Sequence, residues 1–494
     1  MPNLRFLFFL CLFVLLAFNA VFAGSFDMNK QCKEAYRAIM SLQLKEAKKL
    51  IASEKLSNPG NQITLLLENY ADVITVFINE ETEEFNRLEA YKNQRLAILS
   101  KSDKNSPYYL YSQAEINLQW ALVRLKFEQY FKAFMEVQKA YKLLIENQQR
   151  FPDFYPNLKS LGAIHAFIGT IPDQYRWGVK LIGMEGNLKQ GMNEIAIFLA
   201  QGLQKEQLFR EEGLILQSFL LLYLDAKPEK AWEIVEELPK KNNLFNCFVA
   251  ANIAMKTGRN EEAIHILQHK PTGAGYINFF YLDYLLGVCK LNRLDSDADI
   301  YLFSFTSNFK GSNYLKDAYQ KIAWANLLKS KPEKYRQYMQ YVKERGKALI
   351  DLDKQALKSA ESNEVPDINL LKARLLFDGG YYQKALQTLQ NFLLQSYSAL
   401  PLQLEYTYRK ARIFDGLKQY DNAIAFYSQT ILLSKDSPYY FAPKSCLELG
   451  KLYEQSGNKQ NAALYYRKAM EYKNHEYQNS IEQQAKAGLN RLKK

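Results

Sequence analysis

Cysteine is scarce, with five residues in a chain of 494. Cys11 lies in an N-terminal apolar run, and Cys32, Cys247, Cys289 and Cys446 are scattered with no C-x-x-C pair. The spacing excludes the common zinc and dithiol motifs, and the low count excludes a scaffold held by disulfides. Glycine (22) and proline (14) are also few, which argues against an all-β chain built on many tight turns. Only four histidines occur. His265 and His269 have the spacing of a two-histidine metal grip, but H-I-L-Q-H lacks the glutamate of H-E-x-x-H and no third ligand is evident. They read as ordinary helix residues, and His165, on an apolar face, reads as a core histidine. No G-x-S-x-G is present and no cysteine has a histidine beside it in sequence. Catalytic residues, metals and cofactors are therefore not expected, and the chain reads as non-enzymatic.

Long apolar runs are absent beyond the N-terminus; Gly213–Leu224 is too short to span a membrane. The first 23 residues have the layout of a secretory signal peptide: Arg5, an apolar stretch from Phe6 to Phe18, and small residues ending at Ala23. Cleavage after Ala23 is the expectation, with an uncleaved anchor as the rival and the only expected membrane contact. Cys11 has no lipobox before it, which argues against a lipoprotein. The expected location is periplasmic or extracellular. Lysine and arginine outnumber acids 64 to 52, for a net charge of +12, but they alternate with Glu and Asp along helices. That is the pattern of a solvated helix surface, and nucleic acid is not an expected partner. The acids Glu80, Glu81, Glu83 and Glu84 read as complements to a helix dipole rather than a catalytic pair.

A repeat runs through most of the rest. Near the C-terminus, Cys446, Leu449, Gly450, Tyr453, Ala462, Tyr466 and Ala469 stand at spacings of 3, 1, 3, 9, 4 and 3. This resembles the tetratricopeptide repeat, with cysteine in place of its tryptophan and Asn474 in place of its final proline. Small residues at Gly450 and Ala462 let two helices of a hairpin cross closely, and Ser456-Gly457-Asn458 makes the turn. The same device pairs Ala411 with Ala423 and Ala373 with Ala385, and both first helices carry the tripeptide KAR, Lys372–Arg374 and Lys410–Arg412. Thinner matches place Ala251 against Ala263 with Gly258 in the turn, then Gly287 with Ala298, Ala231, Ala121 with Ala133 and Ala140, and Ala35 with Ala47. Ser106-Pro107 and Ser437-Pro438 each read as an N-cap followed by a first helical proline.

The expected fold is all-α: a tetratricopeptide-type solenoid of helical hairpins with a non-repeat helical segment in the middle. The expected order is a signal peptide at 1–23, N-terminal hairpins at 24–150, a non-repeat insert at 151–215, repeats at 216–480 and a capping helix at 481–494. The insert bears a second resemblance. Gly162, Pro172, Gly183, Gly186, Asn187 and Gly191 are similar to the central stretch of a eukaryotic tetratricopeptide family linked to the outer mitochondrial membrane and to clearance of inclusions. A phosphate loop is excluded, since Asn187 and Leu188 stand where lysine and a hydroxyl are needed. Its glycines read as close helix crossings, with Tyr175, Arg176 and Trp177 as a candidate partner anchor. Tyr335, Tyr338 and Tyr341 form a helical stripe that fits either a core or an aromatic groove wall.

The resemblance implies a scaffold whose inner face holds an extended or helical segment of a protein or peptide. The alternative is an envelope glycan-binding protein of helical-repeat fold, against which only four tryptophans stand.

Overall fold

A computed structural model describes residues 24–169, 183–201, 208–434 and 437–492. Among these the regular structure is helical, apart from a bridge between Ser25 and Asn61 and a 3-10 turn at Leu394–Ser396. Most consecutive helices pack against each other as hairpin-like pairs. Two compact units result. One is formed by residues up to Cys247 with Lys270–Phe279, the other by Phe248–His269 with the chain from Phe280 onward.

One turn recurs through both units. At the end of the first helix of a hairpin, one residue takes a left-handed conformation and the next N–H reaches five residues back. Gln43 N donates to Ala38 O, Gln129 to Arg124, Arg259 to Ala254, Asp295 to Lys290, Lys331 to Asn326, Tyr381 to Leu376, Gln419 to Phe414 and Asn458 to Tyr453. This closes the carbonyls that a helix end leaves open. The left-handed residue is glycine at Gly258, Gly380 and Gly457, but Leu42, Glu128, Leu294, Ser330 and Lys418 elsewhere.

Close helix crossings follow from the small residues. Ala35, Ala47, Ala121, Ala133, Ala140, Ala231, Ala251, Ala263, Ala298, Ala373, Ala385, Ala411, Ala423, Ala462 and Ala469 are all buried. A methyl group on Gly450 would lie 2.6 Å from the ring of Tyr466, and one on Gly287 2.6 Å from Leu302. Tyr453 stacks on Tyr465 with ring centroids 5.5 Å apart. The helix Gln478–Leu492 covers the last hairpin, with Gly488 against the other edge of Tyr466.

The central stretch packs into the first unit. The helices Pro156–Ile168 and Leu188–Gln201 cross where Gly162 and Gly191 face each other; a methyl on Gly191 would sit 2.2 Å from the Gly162 carbonyl. His165 is buried, with Nδ1 2.6 Å from Glu194. Beneath this crossing lies a polar core. Lys159 Nζ is 2.7 Å from Glu212 and 3.4 Å from Glu115, Tyr36 OH donates to Glu212 at 2.8 Å, and Tyr70 OH donates to Glu115 at 3.1 Å. Ser160 donates to the other oxygen of Glu115. Burial disfavours the Lys159 charge, but Glu115 and Glu212 outweigh it and hold the ammonium above its ordinary range. Buried ions need such partners, and removing one would leave the others uncompensated.

One helix start differs from the sequence expectation. Ser106 caps Pro107–Lys126 through Tyr108 N, as its motif implies. Ser437 does not cap: its hydroxyl meets Ser434 at 2.7 Å, and the helix begins at Phe441. Pro443 accounts for this, since it falls at the third helical position, where no intrahelical N–H bond is required.

Candidate binding face of the C-terminal hairpins

Within the second unit, the first helices of three successive hairpins, Ile368–Asp378, Leu400–Gly416 and Phe441–Gln455, carry a row of charged side chains, of which Arg409 and Glu448 are buried and Arg374, Arg412, Lys444 and Lys451 are half-buried. Each is stacked or paired rather than free. The Arg374 guanidinium lies 5.0 Å from the Trp324 ring centroid, and Arg412 lies 4.8 Å from that of Phe377. These are the arginines of the two KAR tripeptides. The alanine between turns inward to its partner helix, so the residue after it lands on the hairpin's open side. The repeated tripeptide was thus the available sign of this face.

Arg409 pairs with Glu405 at 3.1 Å and lies over Tyr408. Glu448 is the centre of the row: Arg412, Lys444 and Lys451 approach its carboxylate at 3.2, 3.1 and 3.2 Å. Burial pushes the Glu448 carboxyl up, but Lys451, Lys444 and Arg412 pull it well below the usual carboxylate range. Three cations therefore share one anion. Lys451, half-buried and beside two like charges, is held below its ordinary range by desolvation despite Glu448. It also donates to Gln484 of the C-terminal helix at 3.3 Å.

Aromatic rings complete the face. Tyr440 packs edge-on to Tyr408, with centroids 6.0 Å apart, and Tyr477 packs edge-on to Tyr440 at 5.1 Å. Tyr477 precedes the last helix and takes a left-handed backbone, φ 59°, as does Asn474, φ 58°. Such conformations cost roughly 1–3 kcal/mol for non-glycine residues and persist where surroundings enforce them. Next to it, Glu476 meets Lys358 of the helix Asp351–Glu361 at 2.7 Å. The hairpins thus bring residues 358, 374, 409, 440 and 477 to one place.

The other sequence candidates fall elsewhere. Tyr175, Arg176 and Trp177 lie outside the described residues, as do Pro172 and the N-terminal 23 residues. Tyr335 is buried and donates to Glu364 O at 3.2 Å. Tyr338 and Tyr341 are half-buried around Tyr319, with the Arg345 guanidinium 4.2 Å from the Tyr341 centroid. His269 Nδ1 contacts His265 O at 2.8 Å, and no metal-holding group of three or more ligands exists among the described residues. The four described cysteines are buried free thiols, and burial pushes Cys32 and Cys446 up to about 12. No described helix is long and apolar enough to cross a membrane.

Comparison with known proteins agrees with the repeat fold of the last hairpins. The tetratricopeptide repeat family model matches residues 404–437 and 443–476, the two hairpins that carry Arg409, Arg412 and Glu448. The match does not extend to the central stretch, and no curated protein matches the chain. The described residues form stacked helical hairpins, and residues 404–476 carry tetratricopeptide repeats.

Proposed function

We propose that the chain is a non-enzymatic scaffold that holds a segment of another protein on the face formed by Arg374, Arg412, Lys444, Lys451 and Tyr440. Tetratricopeptide repeats in general mediate protein interactions. The observation that carries the reading here is the convergence of arginines and tyrosines from successive hairpins onto one row. Arginine and tyrosine are the side chains that most often dominate binding energy. The ion pairs already present orient these groups, so little side-chain freedom is lost when a partner arrives. The apolar run from Phe6 to Phe18 supports export, which would place the scaffold in the periplasm or outside the cell.

Crosslinking in intact cells followed by mass spectrometry tests the proposal. A protein client should be recovered with the wild-type chain and lost with Arg374→Ala plus Lys444→Ala at an unchanged melting temperature. If no client is recovered and oligosaccharides instead raise the melting temperature, the chain is a glycan binder and the proposal fails.

A further inference from the structure

The six residues 472–477 join the last repeat helix, Lys459–Glu471, to the helix Gln478–Leu492. A connector of this length has no need to enter the face, yet this one does. Glu476 reaches Lys358, and Tyr477 sets its ring on Tyr440. Burial pushes the Tyr477 phenol up, Tyr440 adds to the rise, and the charges of Arg374 and Arg409 oppose it. Two left-handed residues, Asn474 and Tyr477, bend the segment. Lys473 holds its start through Glu482 at 2.7 Å, and Asn474 N donates to Gln478 at 2.9 Å.

We propose that this segment is an internal occupant of the binding face, with Glu476 and Tyr477 standing where a partner's carboxylate and aromatic ring bind. The partner segment is then one that carries an acidic residue followed by an aromatic one. This rests on the scaffold reading above and adds to it the chemistry of the partner. The contacts are suited to exchange. Lys358 is 61% exposed, so its ion pair is weakly held and an incoming carboxylate can take its place. The Tyr440 ring offers an edge-on site to any aromatic side chain of similar size.

The test uses the full chain and a synthetic, end-blocked peptide with the sequence of residues 472–478, Tyr-Lys-Asn-His-Glu-Tyr-Gln. In the variant Glu476→Ser plus Tyr477→Ser the face is vacated. The peptide should bind this variant at least tenfold more tightly than wild type, about 1.4 kcal/mol. A scrambled peptide in which Glu and Tyr are separated should not bind, and adding Lys358→Glu should weaken the interaction. Binding to neither protein, or to both equally, overturns the proposal. Amide exchange provides a second readout that needs no ligand. Exchange across 472–477 should rise in Lys358→Glu and return to the wild-type rate in Lys358→Glu plus Glu476→Lys. If the swap does not restore protection, the ion pair is not what holds the segment and the proposal also fails. Recovery of a protein client by crosslinking alongside either negative result would refute the internal occupant while leaving the scaffold reading intact.

Discussion

Tyr466 occupies the space that Gly450 leaves open: a methyl on Gly450 would approach its ring carbons to 2.6 and 2.7 Å. The same ring is wedged against Gly488, and its hydroxyl donates to Glu454, which Arg491 holds with two bonds of 2.8 Å. The last hairpin and the C-terminal helix therefore share one anchor. Gly450→Ala should destabilise the second unit by about 1–3 kcal/mol through overpacking. Urea unfolding followed by tyrosine fluorescence would show a lower midpoint, and an unchanged midpoint would mean the helices can separate freely.

Lys418 takes the left-handed position in its hairpin turn, φ 60°, with its side chain exposed. The homologous positions in two neighbouring hairpins are Gly380 and Gly457. Lys418→Gly removes the steric cost of that conformation, offset in part by the greater freedom of glycine when unfolded. The expected gain is about 0.5–1 kcal/mol. Thermal unfolding should show a higher melting temperature.

These two positions show what the sequence makes legible. The three C-terminal hairpins stand out because their crossings use Gly450, Ala462 and paired alanines, and because two of their turns carry glycine. Upstream, Leu42, Glu128, Leu294 and Ser330 make the same turn without glycine, so the local marker is missing although the geometry is retained. The second Ser-Pro-Tyr-Tyr misleads for a comparable reason, since Pro443 sets the helix start and Ser437 is left to Ser434. The binding face was legible only through KAR. Lys358 and Glu476 share no repeat position, and only folding of the intervening hairpins brings them to 2.7 Å.

Glu448 should govern acid sensitivity. Its folded-state pKa is depressed below 4.5, so it contributes stability at neutral pH that is lost as pH falls below the unfolded value. Glu448→Gln should cost roughly 2 kcal/mol at pH 7, since three cations lose their shared acceptor. The same variant should show a shallower loss of stability on acidification, measured by urea midpoints between neutral pH and the acid limb.

Asp353 should act in the opposite direction. It is buried and accepts from Tyr314 N at 2.7 Å and Asp317 N at 3.0 Å, ahead of the helix Leu315–Leu328. Burial pushes its carboxyl up to about 6 against these bonds. With the folded pKa raised above 3.8, the fold takes up a proton on forming in that window, so this group's contribution grows as pH falls from about 6. Comparison of wild type with Asp353→Asn across that range should show the wild type gaining stability relative to the variant as pH is lowered. Parallel profiles would contradict the assignment.

The most direct measurement of the central claim is site-specific photocrosslinking from the face itself. A photoreactive residue at Lys444, on the first helix of the last hairpin, should yield an adduct with a protein client in cells. One at Arg467, exposed on the second helix, should yield none. Equal adducts from both positions, or adducts only from Arg467, would contradict a partner seated on the row of Arg374, Arg412 and Lys444.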